Sequence, residues 1–240
     1  MMVIPAIDLK DGRCVRLRQG DMTRETMYSR DPAAVARQWE ALGAPRLHVV
    51  DLDGAVNGVP RHMDLVCAIA RAVSIPIQVG GGIRSLDSIQ AYVSRGIERV
   101  VLGTAALENP SLLAEACERF PDKIFVGVDV KRGHIALRGW TNLSDATPGQ
   151  VWASLRACPV AGVIMTEISR DGMLEGPDVA ALRQAAEACP VPLIASGGIT
   201  RVEDIRAIKQ LDRRISGVIV GKALYEGTMD LPSALAEAGA

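Results

Sequence analysis

Two carboxylates sit in matching surroundings 121 residues apart. Asp8 closes the apolar stretch of Ile4-Pro-Ala-Ile-Asp8-Leu-Lys10-Asp-Gly12, and Asp129 that of Phe125-Val-Gly-Val-Asp129-Val-Lys131-Arg-Gly133. Two acids placed alike in two halves of a chain suit one task above others: one donates a proton and the other removes one, across a shared site. A free aspartic acid titrates near pH 4, so acting as an acid at neutral pH requires burial or a negative neighbour. Two carboxylates in one cavity meet that requirement. The plainer alternative has each aspartate capping its loop or pairing with Lys10 or Lys131.

A second set of repeated residues points to phosphate. Gly80-Gly81-Gly82-Ile83-Arg84 matches Ser196-Gly197-Gly198-Ile199-Thr200, 116 residues on, and each runs from a strand-like segment into a helical one. Gly103-Thr104 matches Gly221-Lys222 at 118, and Asp53-Gly54 with Asn57-Gly58 matches Asp171-Gly172 with Glu175-Gly176 at the same offset. Glycine admits close backbone approach, and free N–H groups at a helix start attract an anion. The expected phosphate-binding residues are therefore Gly81, Gly82, Arg84, Gly103 and Thr104 in one half. In the other they are Gly172, Ser196, Gly197, Gly198, Gly221 and Lys222. Two such sites on opposite rims would hold an elongated bisphosphate with its middle between Asp8 and Asp129.

Weaker candidates surround the pair. Thr166 ends an apolar run and can hydrogen-bond a substrate or an aspartate. Asp171 is a turn former or a site residue. Trp140, in a polar loop, is expected to stack on a heteroaromatic ring. Arg16 and Gln19 are expected to close over an anion. His48 lies in an apolar run and His62 in a helical pattern, so neither is expected to act as a base. No Ser/His/Asp arrangement and no metal-ligand spacing is apparent, and neither a metal nor a cofactor is expected.

These residues need elements that bring them together. Eight short apolar runs read as strands buried on both faces: 3–7, 47–50, 75–79, 100–102, 124–128, 162–165, 193–195 and 218–220. Amphipathic stretches separate them. Asp31-Pro32 and Asn109-Pro110 offer helix N-caps with proline in the first turn, and Ser85, Thr147-Pro148 and Thr200 mark further starts. Eight alternating units predict one α/β domain over 1–240, a (βα)8 TIM barrel of two half-barrels, about 1–121 and 122–240. A doubly wound open sheet is the second choice. In a barrel the two aspartates fall at the C-terminal ends of strands one and five, where active sites lie. The long segments 9–30 and 134–148 are expected to be loops that cover the mouth.

Composition narrows the function class. The 240 residues carry a net charge of −1 and only 3% aromatics, which gives no basis for a nucleic-acid or membrane partner. Five scattered cysteines without CxxC spacing fit a reducing compartment. The N-terminus has no basic segment ahead of its short apolar run, so no signal peptide is read and a cytoplasmic location is expected. The expected partner is a small bisphosphate nucleotide-like molecule, with no obligate protein partner.

Pro5-Ala-Ile-Asp8, Val15-Arg-Leu-Arg-Gln-Gly20-Asp21, Val79-Gly-Gly-Gly-Ile-Arg84, Gly139-Trp140, Ser169-Arg-Asp-Gly172 and Ala195-Ser-Gly-Gly198 together resemble the histidine-biosynthesis isomerases that act on the ProFAR nucleotide. The resemblance implies an Amadori rearrangement of an aminoaldose to an aminoketose (PRFAR), with Asp129 as acid, Asp8 as base and no cofactor. The sister cyclase usually carries Cys where this chain has Ala6, and lacks the Gly139-Trp140 feature. A bifunctional isomerase also serving tryptophan biosynthesis, by acting on phosphoribosyl anthranilate, resembles the chain at Arg138-Gly-Trp140 but typically has Ser in place of Gly80. Glu167 departs from the pattern, since Asp commonly follows the strand-six Thr. A barrel that binds a bisphosphate without turning it over is the non-enzyme alternative.

Overall fold

Apolar runs without polar alternation need cover on both faces, and a closed parallel barrel wrapped in helices provides it. The computed structural model describes residues 1–239. Its strands are β1 (Met2–Lys10), β2 (Arg13–Arg18), β3 (Asp21–Ser29), β4 (Leu47–Asp51), β5 (Ile77–Gly80), β6 (Arg99–Leu102), β7 (Ile124–Lys131), β8 (His134–Leu137), β9 (Asn142–Leu143), β10 (Gly162–Glu167), β11 (Leu193–Ser196) and β12 (Ile215–Val220). The parallel ring runs β1, β4, β5, β6, β7, β10, β11, β12 and back to β1. It is a TIM barrel. All eight expected strands are present, with ends shifted by a few residues.

Inward side chains fill the barrel: Ile4 and Ala6 meet Val101, Phe125, Ile164, Ile194 and Ile219. Gly162 leaves room for the Phe125 ring, where a methyl group would collide. Outward side chains of the same strands pack against the helices. Asp31 and Asn109 cap the helices Pro32–Ala41 and Pro110–Arg119 through their carboxylate and amide oxygens, while Ser85 and Thr147 form capping boxes. Thr200 stands one residue early. Arg201 is the N-cap of Val202–Lys209, and the Thr200 N–H donates to the Asp204 carboxylate at 2.8 Å. No helix among the described residues is long and apolar enough to cross a membrane.

The two segments expected to be covering loops are β-hairpins instead. β1 and β7 each continue two residues past their aspartate and fold back in antiparallel pairing, with Asp8 opposite Val15 and Asp129 opposite Ala136. Asp11 and Gly12 both have positive φ, as do Arg132 and Gly133. Positive φ at both central residues is what a two-residue hairpin turn demands, and Gly supplies it readily. β2 continues through a third such turn, Gln19-Gly20, into β3. Glu25 on β3 takes Lys10 and Arg13 as partners, so Lys10 does not pair with Asp8.

Candidate active site

At the C-terminal mouth one cavity of about 200 Å³ gathers most of the expected residues. Asp8, Arg16, Gly81, Gly82, Arg84, Gly103, Thr104, Asp129, Trp140, Thr166, Asp171 and Ser196 line it. A smaller cavity shares Arg16, Asp171 and Ser196 with the first and adds Gly172, Gly197, Gly198, Gly221 and Lys222. Gln19 lines neither. Its N–H donates to the Asp171 carbonyl at 3.0 Å and its side-chain amide to the Ser169 carbonyl at 2.8 Å, pinning the β2–β3 turn to the loop after β10.

The two aspartates keep different company. Burial lifts Asp8 from the usual carboxylate range to about 6; the Arg16 cation opposes that rise, and Asp171 adds to it. Arg16 Nη1 lies 2.8 Å from Asp8 Oδ2, and Nη2 lies 3.6 Å from Asp171 Oδ1. Burial likewise lifts Asp129 to about 6; hydrogen bonds from the Trp140 and Thr166 side chains oppose the rise, and Asp171 adds to it. Asp171 is raised too, chiefly by burial, against the pull of Arg16 and Lys222. The capping alternative fails for both residues: each carboxylate faces the cavity, paired with side chains from other elements.

Trp140 is turned inward. Its ring lies on Gly20, where a methyl group would overlap it, so the two hairpins meet over the cavity. One ring face is thus in contact with the protein itself, the ring still lines the cavity, and its N–H is given to Asp129. Arg138, Gly139 and Trp140 all have positive φ, which aims this corner inward. Arg138 points away. Its guanidinium reaches Glu108 at 3.2 Å and its backbone N–H donates to Thr104 Oγ1 at 2.7 Å.

The paired glycine loops are built alike, and packing is a further reason for their glycines. A methyl on Gly81 would be driven into the Asp51 carbonyl, and one on Gly197 into the Glu167 carbonyl at 2.5 Å. Gly82 and Gly198 press on Gly54 and Gly176 in the same way. These four have positive φ and serve loop-on-loop packing. Gly103 alone among the expected phosphate glycines opens onto unfilled space. The cations are asymmetric: Arg84 flanks the first cradle, resting against Gly58, and Lys222 flanks the second, donating to the Gly172 carbonyl at 3.1 Å.

Three residues set aside or left open in the sequence find their places here, one of them with a correction. His62 is not on a helix but precedes Met63–Ala72, with Nε2 2.6 Å from Asp53 Oδ2. With Asp51 it forms a cluster whose ligand-type atoms lie within 4.8 Å of one another, which no short spacing announced. Asp51 already accepts the N–H groups of Gly54, Arg61 and His62, so its carboxylate is engaged in holding the loop after β4. His48 does line the main cavity, yet burial beside Arg16 depresses it to about 3 and keeps its ring neutral. Glu167 turns to Ser169 and leaves Thr166 free to reach Asp129.

Residues 2–230 match the family described as histidine biosynthesis protein. The chain belongs to this family. It is 51% identical over 237 residues, 98% of each chain, to the 1-(5-phosphoribosyl)-5-((5-phosphoribosylamino)methylideneamino) imidazole-4-carboxamide isomerase of Syntrophotalea carbinolica. Identity to the isomerase of the same name from Pelobacter propionicus is 49%, over all of this chain and 98% of that one. The Geobacter sulfurreducens isomerase is 48% identical, over 98% of this chain and 97% of that one. This histidine-biosynthesis chain is an isomerase, and the matched span holds both aspartates and both glycine cradles.

Proposed function

We propose that the chain converts ProFAR to its aminoketose isomer PRFAR by general acid–base catalysis, with Asp129 as the acid and Asp8 as the base. The observation that carries the assignment is the placement of both carboxylates in one cavity flanked by two glycine cradles, each carboxylate raised to about 6. A carboxyl titrating there is divided between its two forms close to neutral pH, which suits transfer in either direction. Arg16 gives Asp8 a full positive partner that favours its charged, proton-accepting form. Asp129 has no cation of its own, and the anionic groups of a bisphosphate would lift it further toward the protonated form.

The reaction then runs without an external electron acceptor. Asp129 protonates the ribose ring oxygen, the ring C–O bond breaks, and the glycosidic nitrogen forms a protonated Schiff base. Asp8 removes the C2 proton, and the electrons of that bond flow into the imine to give an enolamine. Proton return at C1 and loss of the hydroxyl proton at C2 give the ketone, so atoms and charge balance. Such proton transfers are worth about 100- to 10,000-fold each, and clamping both phosphates adds positioning. Arg84 and Lys222, with the N–H groups of the glycine loops, would hold the phosphates. We also read the halves about 1–121 and 122–240 as a repeat, supported by the matched hairpins and cradles. A small-molecule bisphosphate is the expected partner, with no nucleic acid, metal or cofactor called for.

The narrower substrate range is favoured over the bifunctional one by Arg138, which is tied to Glu108 and absent from the cavity lining. The test is turnover of ProFAR by the purified protein and by Asp8→Asn and Asp129→Asn, with phosphoribosyl anthranilate run alongside. Loss of about 100-fold or more in kcat with KM held is expected for each variant. Equal ligand binding by all three proteins with turnover by none would show a binding barrel. Robust turnover of phosphoribosyl anthranilate would replace the single-substrate reading.

A further inference from the structure

We propose that Arg16 is shared between Asp8 and the second glycine cradle, so that an anion seated in the cradle draws the guanidinium off Asp8 and frees that carboxylate to take a proton. This rests on reading the cradle as the seat of a substrate phosphate. A base needs proton affinity, and Arg16 Nη1 on Asp8 Oδ2 at 2.8 Å lowers it by favouring the charged carboxylate. The same side chain lines both cavities. Its guanidinium lies directly on Gly221, so closely that a methyl group there would overlap it. The cation therefore already touches the loop that would hold the anion, and no large swing is needed to change partners.

The present partners leave the guanidinium incompletely used. Arg16 Nε is buried and its N–H donates to no oxygen, and the contact of Nη2 with Asp171 is long at 3.6 Å. A planar guanidinium carries five donors in a fork that matches phosphate well. The ionisable neighbours of the pair are Cys14 on β2, Tyr28 on β3, His48 on β4, Asp171 in the loop after β10, and Tyr225 at the end of the helix Lys222–Tyr225, with the Lys222 cation beside Asp171. Burial holds the thiol and both phenols in their neutral forms and His48 uncharged. Exchange of Arg16 between Asp8, Asp171 and an incoming dianion is thus the charge rearrangement available. By linkage, anion binding and protonation of Asp8 must then favour each other to the same degree.

Sulfate, a dianion that does not titrate between pH 4 and 9, is the probe, with the Asp8 and Asp129 carboxyls followed by carbon-13 NMR in the whole protein. Saturating sulfate is expected to raise the Asp8 midpoint by about half a unit to one unit, and to move Asp129 much less. Sulfate should correspondingly bind about 3- to 10-fold tighter at pH 4 than at pH 8. In Arg16→Met the Asp8 midpoint should start higher and stop responding, while sulfate still binds through Lys222 and the loop amides. Arg16→Lys, which keeps the charge but loses the fork, should retain a smaller shift and serves if the Met variant does not fold. Sulfate binding with Asp8 unmoved would overturn the sharing and leave the cradle reading intact. An equal Asp8 shift in Arg16→Met would overturn it also, because the anion's own charge would then suffice. No sulfate binding at all would overturn both.

Discussion

Gly81→Ala and Gly103→Ala are the same chemical change in the same glycine cradle, proposed to seat a phosphate, and they should fail in opposite ways. Gly81 has φ +106°, and its added methyl would strike the backbone carbonyl of Asp51. Holding an L-residue in such a conformation costs on the order of 1–3 kcal/mol. Forcing apart two packed loops adds a comparable amount. A total near 3 kcal/mol, at roughly 2–4 °C of Tm per kcal/mol for a domain of this size, lowers Tm by about 6–12 °C. Gly103 has φ −88° and open space around the new methyl. Its alanine variant meets no neighbour and should lose less stability than Gly81→Ala, yet put a methyl group where a phosphate oxygen would sit. A KM increase of about tenfold, or 1.4 kcal/mol, is expected with kcat little changed. Thermal melts and steady-state kinetics on ProFAR read the two effects separately. Parent-like melting of Gly81→Ala, or a destabilised Gly103→Ala with unchanged KM, would refute the division of labour drawn between these glycines.

Asp129→Asn should stabilise the fold above pH 6. Folding raises this carboxyl, so its burial costs nothing below about pH 4 and costs progressively more as pH rises through about 6. The variant should gain on the order of 2–3 kcal/mol at pH 8, and the gap should close near pH 4 in denaturant melts. Trp140→Phe keeps a ring against Gly20 but removes the donor to Asp129. The Asp129 midpoint should therefore rise above about 6 in a carboxyl titration, and an unchanged midpoint would deny that hydrogen bond. Arg84→Ala and Lys222→Ala should each raise KM by about 10- to 100-fold through loss of one charge-assisted contact, with kcat largely kept. A fall in kcat alone would place these cations on the reacting centre instead.

Matched residue blocks made the barrel legible because buried parallel strands and glycine turns leave compact local signatures. Asp8, Asp129 and the cradles followed from that frame. The hairpins were legible as well: Asp11-Gly12 is the strongest short signal for a two-residue turn, but the length of segment 9–30 was read as a loop. The partners of Arg16 were not legible, since Asp8, Asp171 and Gly221 meet it only after the barrel closes. Asp51, Asp53 and His62 are likewise joined by a folded loop rather than by spacing. The packing role of the cradle glycines was not legible. Sequence shows that a side chain is missing and not which neighbour excludes it.

The contact between Trp140 and Gly20 joins the tips of hairpins that rise from opposite sides of the barrel. In the proposed chemistry the ring-opened imine is the species most easily lost, because water adds to imines and splits them. A roof held by this contact would keep that intermediate from bulk solvent while the proton transfers run. The same indole that roofs the cavity is hydrogen-bonded to Asp129, so parting the hairpins would also take a donor from the proposed acid. Leakage to hydrolysis, measured as the ratio of cleaved to isomerised substrate, therefore reports on this single contact as a yield.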